Sequence, residues 1–212
     1  MTVSSLSIEL LSDATFGRGE GTAGEVDVEV EHDDLGLPFV GGKTVHGLLR
    51  DAWLTMAGTF PALGVAATRV LGRSQELAET SIVRVGDAVV DDATRAWIRA
   101  AATRRPEDQR LSPRDVLRAF TEVRRQTAQD RATGAPAATT LRAARVVVRG
   151  VALHAPLTWL SPPDEGALRC LALAALGVRH AGLSRNRGRG HVRVLLDQDA
   201  ALTMKLAREA LA

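Results

Sequence analysis

Segments with strand periodicity and segments with helix periodicity follow one another along this chain in an order that leaves few folds open. Val3 to Leu11 alternates apolar and polar residues, which is typical of a half-buried strand. Val45 to Met56 then has helical spacing, with Thr44 as the predicted N-cap. The complete predicted order is strand, helix, strand, helix, strand, strand, helix, strand, helix.

The later elements are predicted from the same periodicities and from their turn residues. Ser112 and Pro113 open one helix, since serine is a good cap and proline favours the first helical position. The predicted strands are 82–90, 120–128, 145–153 and 192–196, and the predicted helices are 91–103, 113–119, about 162–180 and 198–211.

This order favours an α+β fold in which short helices pack on one face of an antiparallel sheet. A ferredoxin-like core of the split βαβ type fits the order best. We expect a single domain over residues 1–212, with an inserted helical region near 57–119 and a protruding basic hairpin near 124–145.

Residues 182–190, which we call the Arg/Gly loop, carry three arginines, three glycines and no acidic residue. Glycine lets a backbone approach a ligand closely, and the planar guanidinium fork of arginine suits phosphate. A plain turn needs one or two glycines and no arginines, so we expect this loop to bind a polyanion. The residues expected to contact it are Arg185, Asn186, Arg187 and Arg189; the alternative is a flexible, solvated loop.

The net charge of only +2 hides an uneven charge distribution. Residues 1–34 hold nine acidic residues and one basic residue, whereas residues 99–149 hold twelve arginines and five acidic residues. This asymmetry indicates a basic surface beside an acidic one. Aromatic residues make up 3% of the chain, so we do not expect a sheet that reads bases through a row of aromatic side chains. RNA bound through its backbone is the ligand that we expect.

A second basic constellation stands at the start of the first predicted helix, where Gly41 and Gly42 precede Lys43. Free N–H groups and the dipole of a helix N-terminus favour an anion. His46 and Arg50 follow about one turn apart on the helix, and we expect all five residues to contact RNA. The likeness to a P-loop is superficial because the upstream glycine is missing. An ordinary strand-to-helix turn is the alternative.

Residues 16–36, which we call the acidic loop, are rich in glycine and in carboxylates. Asp27 is the candidate for chemistry, because a carboxylate beside a phosphodiester can hold Mg²⁺ or another divalent metal, or can position the attacking oxygen. A solvated acidic loop is the alternative.

The basic hairpin has a tip rich in glycine, proline and alanine between two predicted strands. Its small apolar residues could wedge beside bases while Arg124, Arg125 and Arg131 hold phosphates. A surface hairpin without such a role is the alternative.

Several other classes of protein are not expected. The single cysteine, Cys170, excludes an intramolecular disulfide and lies in an apolar helical run, where we expect a buried, inert thiol. No run of about 18 apolar residues predicts a membrane span. Met1 to Leu6 lacks the features of a secretory signal, so we expect a cytoplasmic protein that does not associate with a membrane.

Four segments together resemble, in the same order, motifs of the RAMP superfamily of CRISPR-associated proteins. The resemblance is to the backbone subunits, the seventh Cas protein group, of type III effector complexes. The segments are Gly24–Asp27, Gly36–Arg50, residues 127–135 of the basic hairpin, and the Arg/Gly loop. The second segment departs from the family, because Val40 to Lys43 replaces Pro-Gly-Ser-Ser and His46 replaces a lysine.

The resemblance implies a modified RNA-recognition fold whose copies stack along a guide RNA, together with other effector subunits. It implies that the basic hairpin acts as a thumb, which displaces one base pair between guide and target RNA at a regular interval. Lys43, His46 and Arg50 match positions that contact the guide backbone. Asp27 matches the aspartate that supports metal-dependent cleavage of the target RNA.

Two other functions share these basic features. A purely structural subunit would bind the guide RNA without cleaving the target. A neighbouring RAMP protein would instead cap the 5′ end of the guide RNA or process precursor RNA, and the processing enzymes commonly rely on a histidine near the first helix, for which His46 is the candidate. Processing of that kind would not need a metal.

Overall fold

The computed structural model describes residues 2–72, 81–103, 106–137 and 139–211, and these have a mixed α/β structure. The strands are β1 (Ser5–Leu10), β2 (Val83–Val85), β3 (Thr121–Gln126), β4 (Arg142–Val147), β5 (Ala152–Trp159) and β6 (Val192–Leu196). The helices are α1 (Gly42–Met56), α2 (Gly64–Leu71), α3 (Asp92–Thr103), α4 (Pro113–Phe120), α5 (Glu165–Gly177) and α6 (Ala200–Glu209). Short 3₁₀ turns lie at Ala57–Thr59, Pro61–Leu63, Glu107–Gln109 and Arg185–Arg187.

Strand β1 lies inside a four-stranded antiparallel sheet with the strand order β2-β5-β1-β6. Leu6 of β1 stands opposite Ala155 of β5 on one side and Leu196 of β6 on the other. Leu6, Ile8 and Leu10 are buried, as the alternating pattern predicts. The pairing on both edges satisfies the backbone groups of β1 and makes it the strand on which the sheet is assembled.

The predicted helical region 57–119 also supplies a strand to this sheet. It contains α2, α3 and α4, but β2 lies between α2 and α3 and pairs with β5. Residues 73–80 and 104–105 of the region lie outside the described residues. Ser112 caps α4 as predicted, and Asp115 completes a capping box with it.

Helix α5 is packed against α1, α2 and α6. It ends at Gly177, a few residues before its predicted end, and a side chain at Gly177 would crowd Ala52 and Met56 of α1. Cys170 of α5 is fully buried, and burial raises the pKa of its thiol to about 12. The expectation of a buried, inert thiol is therefore confirmed.

The basic hairpin forms a separate two-stranded antiparallel sheet from β3 and β4, and residues 127–135 at its tip are exposed. The tip is closed by Asp130, whose carboxylate accepts the backbone N–H groups of Ala132 and Thr133 at 2.8 and 3.0 Å. These bonds lower the pKa of Asp130, because they favour the ionised carboxylate.

Two predicted strands have wrong boundaries. Residues 145–153 are not one strand, because Gly150 takes a φ of +87° and turns the chain from β4 into β5. Apolar residues stand on both sides of this turn, Val146 to Val148 before it and Val151 to Leu153 after it, so the apolar pattern does not reveal the turn. Residues 82–90 pair regularly only as far as Val85, since the next residue, Gly86, faces Pro156 of β5, which has no N–H to donate.

Helix α1 begins three residues before the predicted start. Gly41 is its N-cap, and Thr44, predicted as the cap, lies inside the first turn. The Gly42 N–H donates to the Asp87 carboxylate at 2.7 Å, so an acid distant in sequence satisfies this helix end and complements its dipole. A side chain at Gly42 would overlap the carbonyl oxygen of Val85, which explains why glycine is needed there.

The acidic loop is joined to β4 by backbone pairing. The Asp27 N–H donates to the Ala143 carbonyl at 2.8 Å, and the Ala143 N–H donates back to Oδ2 of Asp27 at 2.7 Å. The Arg145 N–H then donates to the Val28 carbonyl at 2.9 Å. These bonds fix the acidic loop against the base of the basic hairpin, and Asp27 is held at the junction.

A buried ion pair stabilises the same junction. Nε of Arg145 lies 2.7 Å from Oε1 of Glu29, and the two side chains are 7% and 2% exposed. Glu29 also accepts the Val30 N–H at 3.0 Å and the Thr22 hydroxyl at 2.8 Å. Arg145 reaches Oε2 of Glu25 at 3.0 Å with its other arm. Because every charge has partners, the pair is tolerated away from water.

The Arg/Gly loop is anchored at both ends. The Leu183 N–H donates to the Thr15 carbonyl at 2.9 Å, and the Gly190 N–H donates to the Asp13 carbonyl at 2.8 Å. Gly190 has a φ of +70°, and a Cβ there would overlap the carbonyl oxygen of Ala181. Gly188 has a similar φ of +74° but is surrounded by open space. Gly190 is therefore required by backbone packing, whereas Gly188 leaves room for a ligand.

We predict that Glu29→Ala destabilises the protein by about 3 kcal/mol, because it leaves the Arg145 guanidinium buried without its main partner. Glu29→Gln, which keeps the hydrogen-bond acceptors, should cost clearly less. Glu25→Ala is the control, since Glu25 is 36% exposed and an ion pair of this kind contributes about 1 kcal/mol or less. Urea unfolding measures all three; equal losses for Glu29→Ala and Glu25→Ala would contradict the buried pair.

We also predict that Gly190→Ala and Gly188→Ala differ in stability. Alanine at positive φ costs about 1 kcal/mol in either place, and only at residue 190 does its Cβ overlap backbone. Thermal unfolding should therefore show a small decrease of Tm for Gly188→Ala and a much larger one for Gly190→Ala. Similar decreases would mean that the loop is not anchored at Ala181 as described.

Candidate nucleic-acid interface

A cleft of about 590 Å³, which we call the Asp27 cleft, lies between the acidic loop, the base of the basic hairpin and the Arg/Gly loop. Its charged lining consists of one carboxylate and four guanidinium groups: Asp27, Arg142, Arg185, Arg187 and Arg189. Four positive charges against one negative charge leave an excess of three. Asn186 and Gln126 add amide groups to the lining. The cleft is suited to an anionic ligand that the arginines bind and that lies in contact with the Asp27 carboxylate.

The Asp27 carboxylate is held by the backbone and not by an arginine. Its Oδ2 accepts the Ala143 N–H at 2.7 Å, and the side chain is exposed. Within the described residues no ion pair joins Asp27 to an arginine, although four arginines line the same cleft. Other acids of this region, Asp13, Glu25 and Glu29, are each paired with an arginine. Asp27 is thus oriented and still accessible to a ligand.

The local fold of the Arg/Gly loop presents its polar side chains on a short 3₁₀ turn, Arg185–Arg187. Ser184 and Gly188 flank this turn in the left-handed conformation, which reverses the chain on either side. Arg185 is half exposed and lies 3.9 Å from Asp51 of α1, a distance at which an exposed pair contributes little. The sequence predictions of Asp27 and of this loop therefore meet in one place.

The donor set of the cleft limits how a metal could be held. Among the described residues no group of three or more histidine, cysteine, aspartate or glutamate side chains is placed to bind a metal ion. Asp27 is the one carboxylate of the cleft lining. Mg²⁺ in phosphate-processing sites is commonly bound by one or two carboxylates together with phosphate oxygens and waters. Asp27 fits that role only when a phosphate supplies the further oxygens.

The basic residues of the first helix form a separate stripe. Lys43, His46 and Arg50 lie three and four residues apart on α1, so they share one face, and none of them lines the Asp27 cleft. Lys43 is exposed, and the other two are half-buried. Gly41 and Gly42 stand at the helix start, where Asp87 already occupies the Gly42 N–H. An RNA contact of these five residues stays a prediction.

The three arginines predicted on the basic hairpin have different surroundings. Arg124 bonds to Oδ2 of Asp13 through Nε at 3.0 Å and Nη2 at 2.8 Å, and its Nη2 lies 2.7 Å from Glu122. The bond to Asp13 raises the pKa of Arg124 above its ordinary value. Arg125 on β3 and Arg131 at the tip are exposed. Their RNA contacts stay predictions, and the charge of Arg124 is already balanced within the chain.

The sequence did not predict the place of Arg142 in the Asp27 cleft or any role for Asp13. Arg142 lines the Asp27 cleft because it begins β4 opposite Gln126, and only the register of the hairpin brings it there. Asp13 orients Arg124 and accepts the Arg149 N–H at 3.1 Å. The density of arginines in residues 99–149 was a signal for Arg142, whereas nothing in the sequence links Asp13 to residues more than a hundred positions away.

No helix in the described parts of the chain has both the length and the apolar character needed to cross a bilayer.

A comparison with curated proteins gives no match. The fold is similar to chains of two cryo-electron microscopy structures of Type III-B Cmr-beta. One structure is in the apo state, and the other is bound to cognate target RNA. The first has a TM-score of 0.68 at 13% identity and covers 93% of this chain and 98% of its own. The second has a TM-score of 0.67 at 12% identity and covers 97% of this chain and 99% of its own.

The family comparison agrees with the resemblance found in the sequence motifs. The model of the RAMP superfamily matches residues 7–193, which extend from β1 to β6 and include the acidic loop, the basic hairpin and the Arg/Gly loop. The chain therefore belongs to the RAMP superfamily.

Proposed function

We propose that this protein is a guide-RNA-binding backbone subunit of a type III CRISPR effector complex and that it cleaves bound target RNA with the help of Asp27. The observation that carries the proposal is the Asp27 cleft, where an accessible carboxylate stands among four arginines. Similarity to chains of a type III-B Cmr-beta complex, including one bound to cognate target RNA, supports the assignment.

The architecture supports a ferredoxin-like, RNA-recognition-motif type of core. Its elements would be β1-α1-β2 followed by β5-α5-β6, with the basic hairpin and α3 and α4 inserted between the halves. The strand order β2-β5-β1-β6 with antiparallel neighbours is the order that two interleaved βαβ units produce. In such a core, the Asp27 cleft is built from segments that connect the core elements or are inserted between them. The four-stranded sheet holds these segments in place.

The proposed cleavage uses the residues of the cleft for two tasks. Arg142, Arg185, Arg187 and Arg189 bind the phosphates of the target strand and fix the scissile bond beside Asp27. The Asp27 carboxylate, oriented by the Ala143 N–H, would hold a divalent metal together with phosphate oxygens. Such a metal, when bound, stabilises charge on the phosphoryl oxygens and favours a deprotonated attacking oxygen.

Other surfaces would hold the guide and the neighbouring subunits. The stripe of Lys43, His46 and Arg50 on α1 supports a contact with the guide backbone, since phosphate contacts position RNA without reading its sequence. The exposed tip of the basic hairpin supports the role of a thumb between guide and target. Copies of the same chain and other effector subunits are the proposed protein partners.

A scaffold without cleavage is the second candidate. The observation that favours it is that the cleft offers one carboxylate and the described residues contain no metal-binding cluster of three or more. Processing of guide RNA through His46 has less support, because His46 is half-buried on α1 and does not line the Asp27 cleft.

We predict that Asp27→Asn in the guide-loaded complex lowers target-RNA cleavage at least about a hundredfold while target binding changes little. Asparagine keeps the size and the oxygen that accepts the Ala143 N–H but loses the charge that a metal needs. Asp34→Asn, an exposed acid of the same loop outside the cleft, is the matched control. Cleavage of labelled target RNA, measured with Mg²⁺ and with EDTA, checks this prediction. Cuts that persist with the Asp27→Asn variant and also in the presence of EDTA would exclude metal-dependent cleavage through Asp27.

We further predict that Arg185→Gln combined with Arg187→Gln weakens binding of single-stranded RNA by about tenfold or more at moderate salt. Two lost phosphate contacts should also reduce the slope of log Kd against log salt by about 1.4. Arg208→Gln, on α6 and outside the cleft, removes one positive charge elsewhere on the surface and serves as the control for each single substitution. An unchanged slope for the double variant would mean that these arginines do not contact phosphates.

A further inference from the structure

A second cleft, of about 720 Å³, lies on the other side of the Arg/Gly loop, and we call it the Asp13 cleft. We propose that it binds a second stretch of RNA phosphodiester backbone, continuous with the stretch in the Asp27 cleft. The inference rests on the proposed RNA-binding function and extends it to a site in which Arg118 and Arg149, two residues that the sequence motifs do not include, join Arg124 and Arg189.

The basic side chains of the Asp13 cleft converge from four separate parts of the fold. Arg118 comes from α4, Arg124 from β3, Arg149 from the turn between β4 and β5, and Arg189 from the Arg/Gly loop. Asp13 and Glu122 are the acids of the lining, so four positive charges face two negative charges and leave an excess of two. Convergence of distant segments distinguishes this lining from a run of charges along one solvated helix.

The two acids of the cleft are already engaged. One oxygen of Asp13 is bound by Arg124 and the other accepts the Arg149 N–H at 3.1 Å, while Glu122 lies 2.7 Å from the same Arg124. Both carboxylates therefore offset and orient Arg124. Within the described residues no ion pair joins Arg118, Arg149 or Arg189 to an acid. Arg118 also helps to lower the pKa of Asp115 on its own helix, and the charges of Arg149 and Arg189 are left for a ligand from outside the chain.

Arg189 connects the two clefts, because it lines both of them. Beside it, Gly188 lines the Asp13 cleft with a positive φ and with no atom near the position of a Cβ. A glycine in open space lets a backbone or a phosphate approach the loop closely. Two basic clefts that share one arginine suit a chain of regularly spaced phosphates that passes over the Arg/Gly loop.

The alternative occupant is the acidic surface of another protein, such as the acidic loop of a second copy. The shared arginine favours RNA, because a protein surface in the Asp13 cleft would not need to continue into the Asp27 cleft. Most of the lining is polar or charged, with Leu11, Ala119 and Val148 as its apolar part, so a large apolar contact is not offered.

The test compares Arg118→Gln combined with Arg149→Gln against the wild-type full chain, with each single variant as a check on folding by circular dichroism. We expect the double variant to bind a labelled single-stranded RNA about tenfold more weakly or worse, with a salt slope reduced by about 1.4. Arg208 lines neither cleft, so the Arg208→Gln variant should bind this RNA like the wild type.

The outcomes separate the two proposals. Normal RNA binding by the double variant, together with weakened binding by the Arg185 and Arg187 variant, would overturn the Asp13 cleft as an RNA site and leave the proposed function intact. Normal RNA binding with a loss of self-association in light scattering would assign the cleft to a protein partner and overturn it equally. A wild-type chain that binds no RNA would overturn the proposed function itself.

Discussion

The buried pair of Arg145 and Glu29 is the interaction on which the arrangement of the cleft depends. Arg145 belongs to the hairpin strand β4, and Glu29 belongs to the acidic loop, so their contact at 2.7 Å adds a buried ion pair to the backbone pairing and the more exposed contacts that join the two segments. Burial makes the pair costly to break, because either partner alone would be a charge without water. Asp27 lies two residues from Glu29 and opposite Ala143, so the buried pair supports the position that its own bonds to Ala143 give it.

Most elements of the fold were predicted from the strand and helix periodicities of the sequence. The apolar positions of β1, the spacing of α1 and the strand Val192–Leu196 were predictable because each has one clear period and a buried face. The prediction of one strand over 145–153 failed for a tertiary reason. Gly150 lets the chain turn while apolar residues stand on both sides of it, and only strand pairing assigns β4 and β5 to different sheets.

The candidate site was predictable in its residue types and less so in their roles. Asp27 and the Arg/Gly loop were found from composition and motif order, and the structure brings them into one cleft. The glycines show that residues of one type in a sequence motif can have different roles. Gly42 and Gly190 are required by backbone packing, whereas Gly188 stands in open space, and the sequence gives all three the same appearance. The role of Asp13 depends on a contact with Arg124, 111 residues away, which no local pattern encodes.

The carboxylates around the Arg/Gly loop divide into two groups by their partners. Asp13, Glu25, Glu29 and Glu122 are each paired with arginine, and their function is to orient guanidinium groups or to balance them. Asp27 is held by a backbone N–H, although arginines line its cleft. A neutral donor fixes the direction of the carboxylate without cancelling its charge. The chain thus keeps one negative charge uncancelled in a basic cleft, an arrangement that stability alone does not require and that a reacting phosphodiester would use.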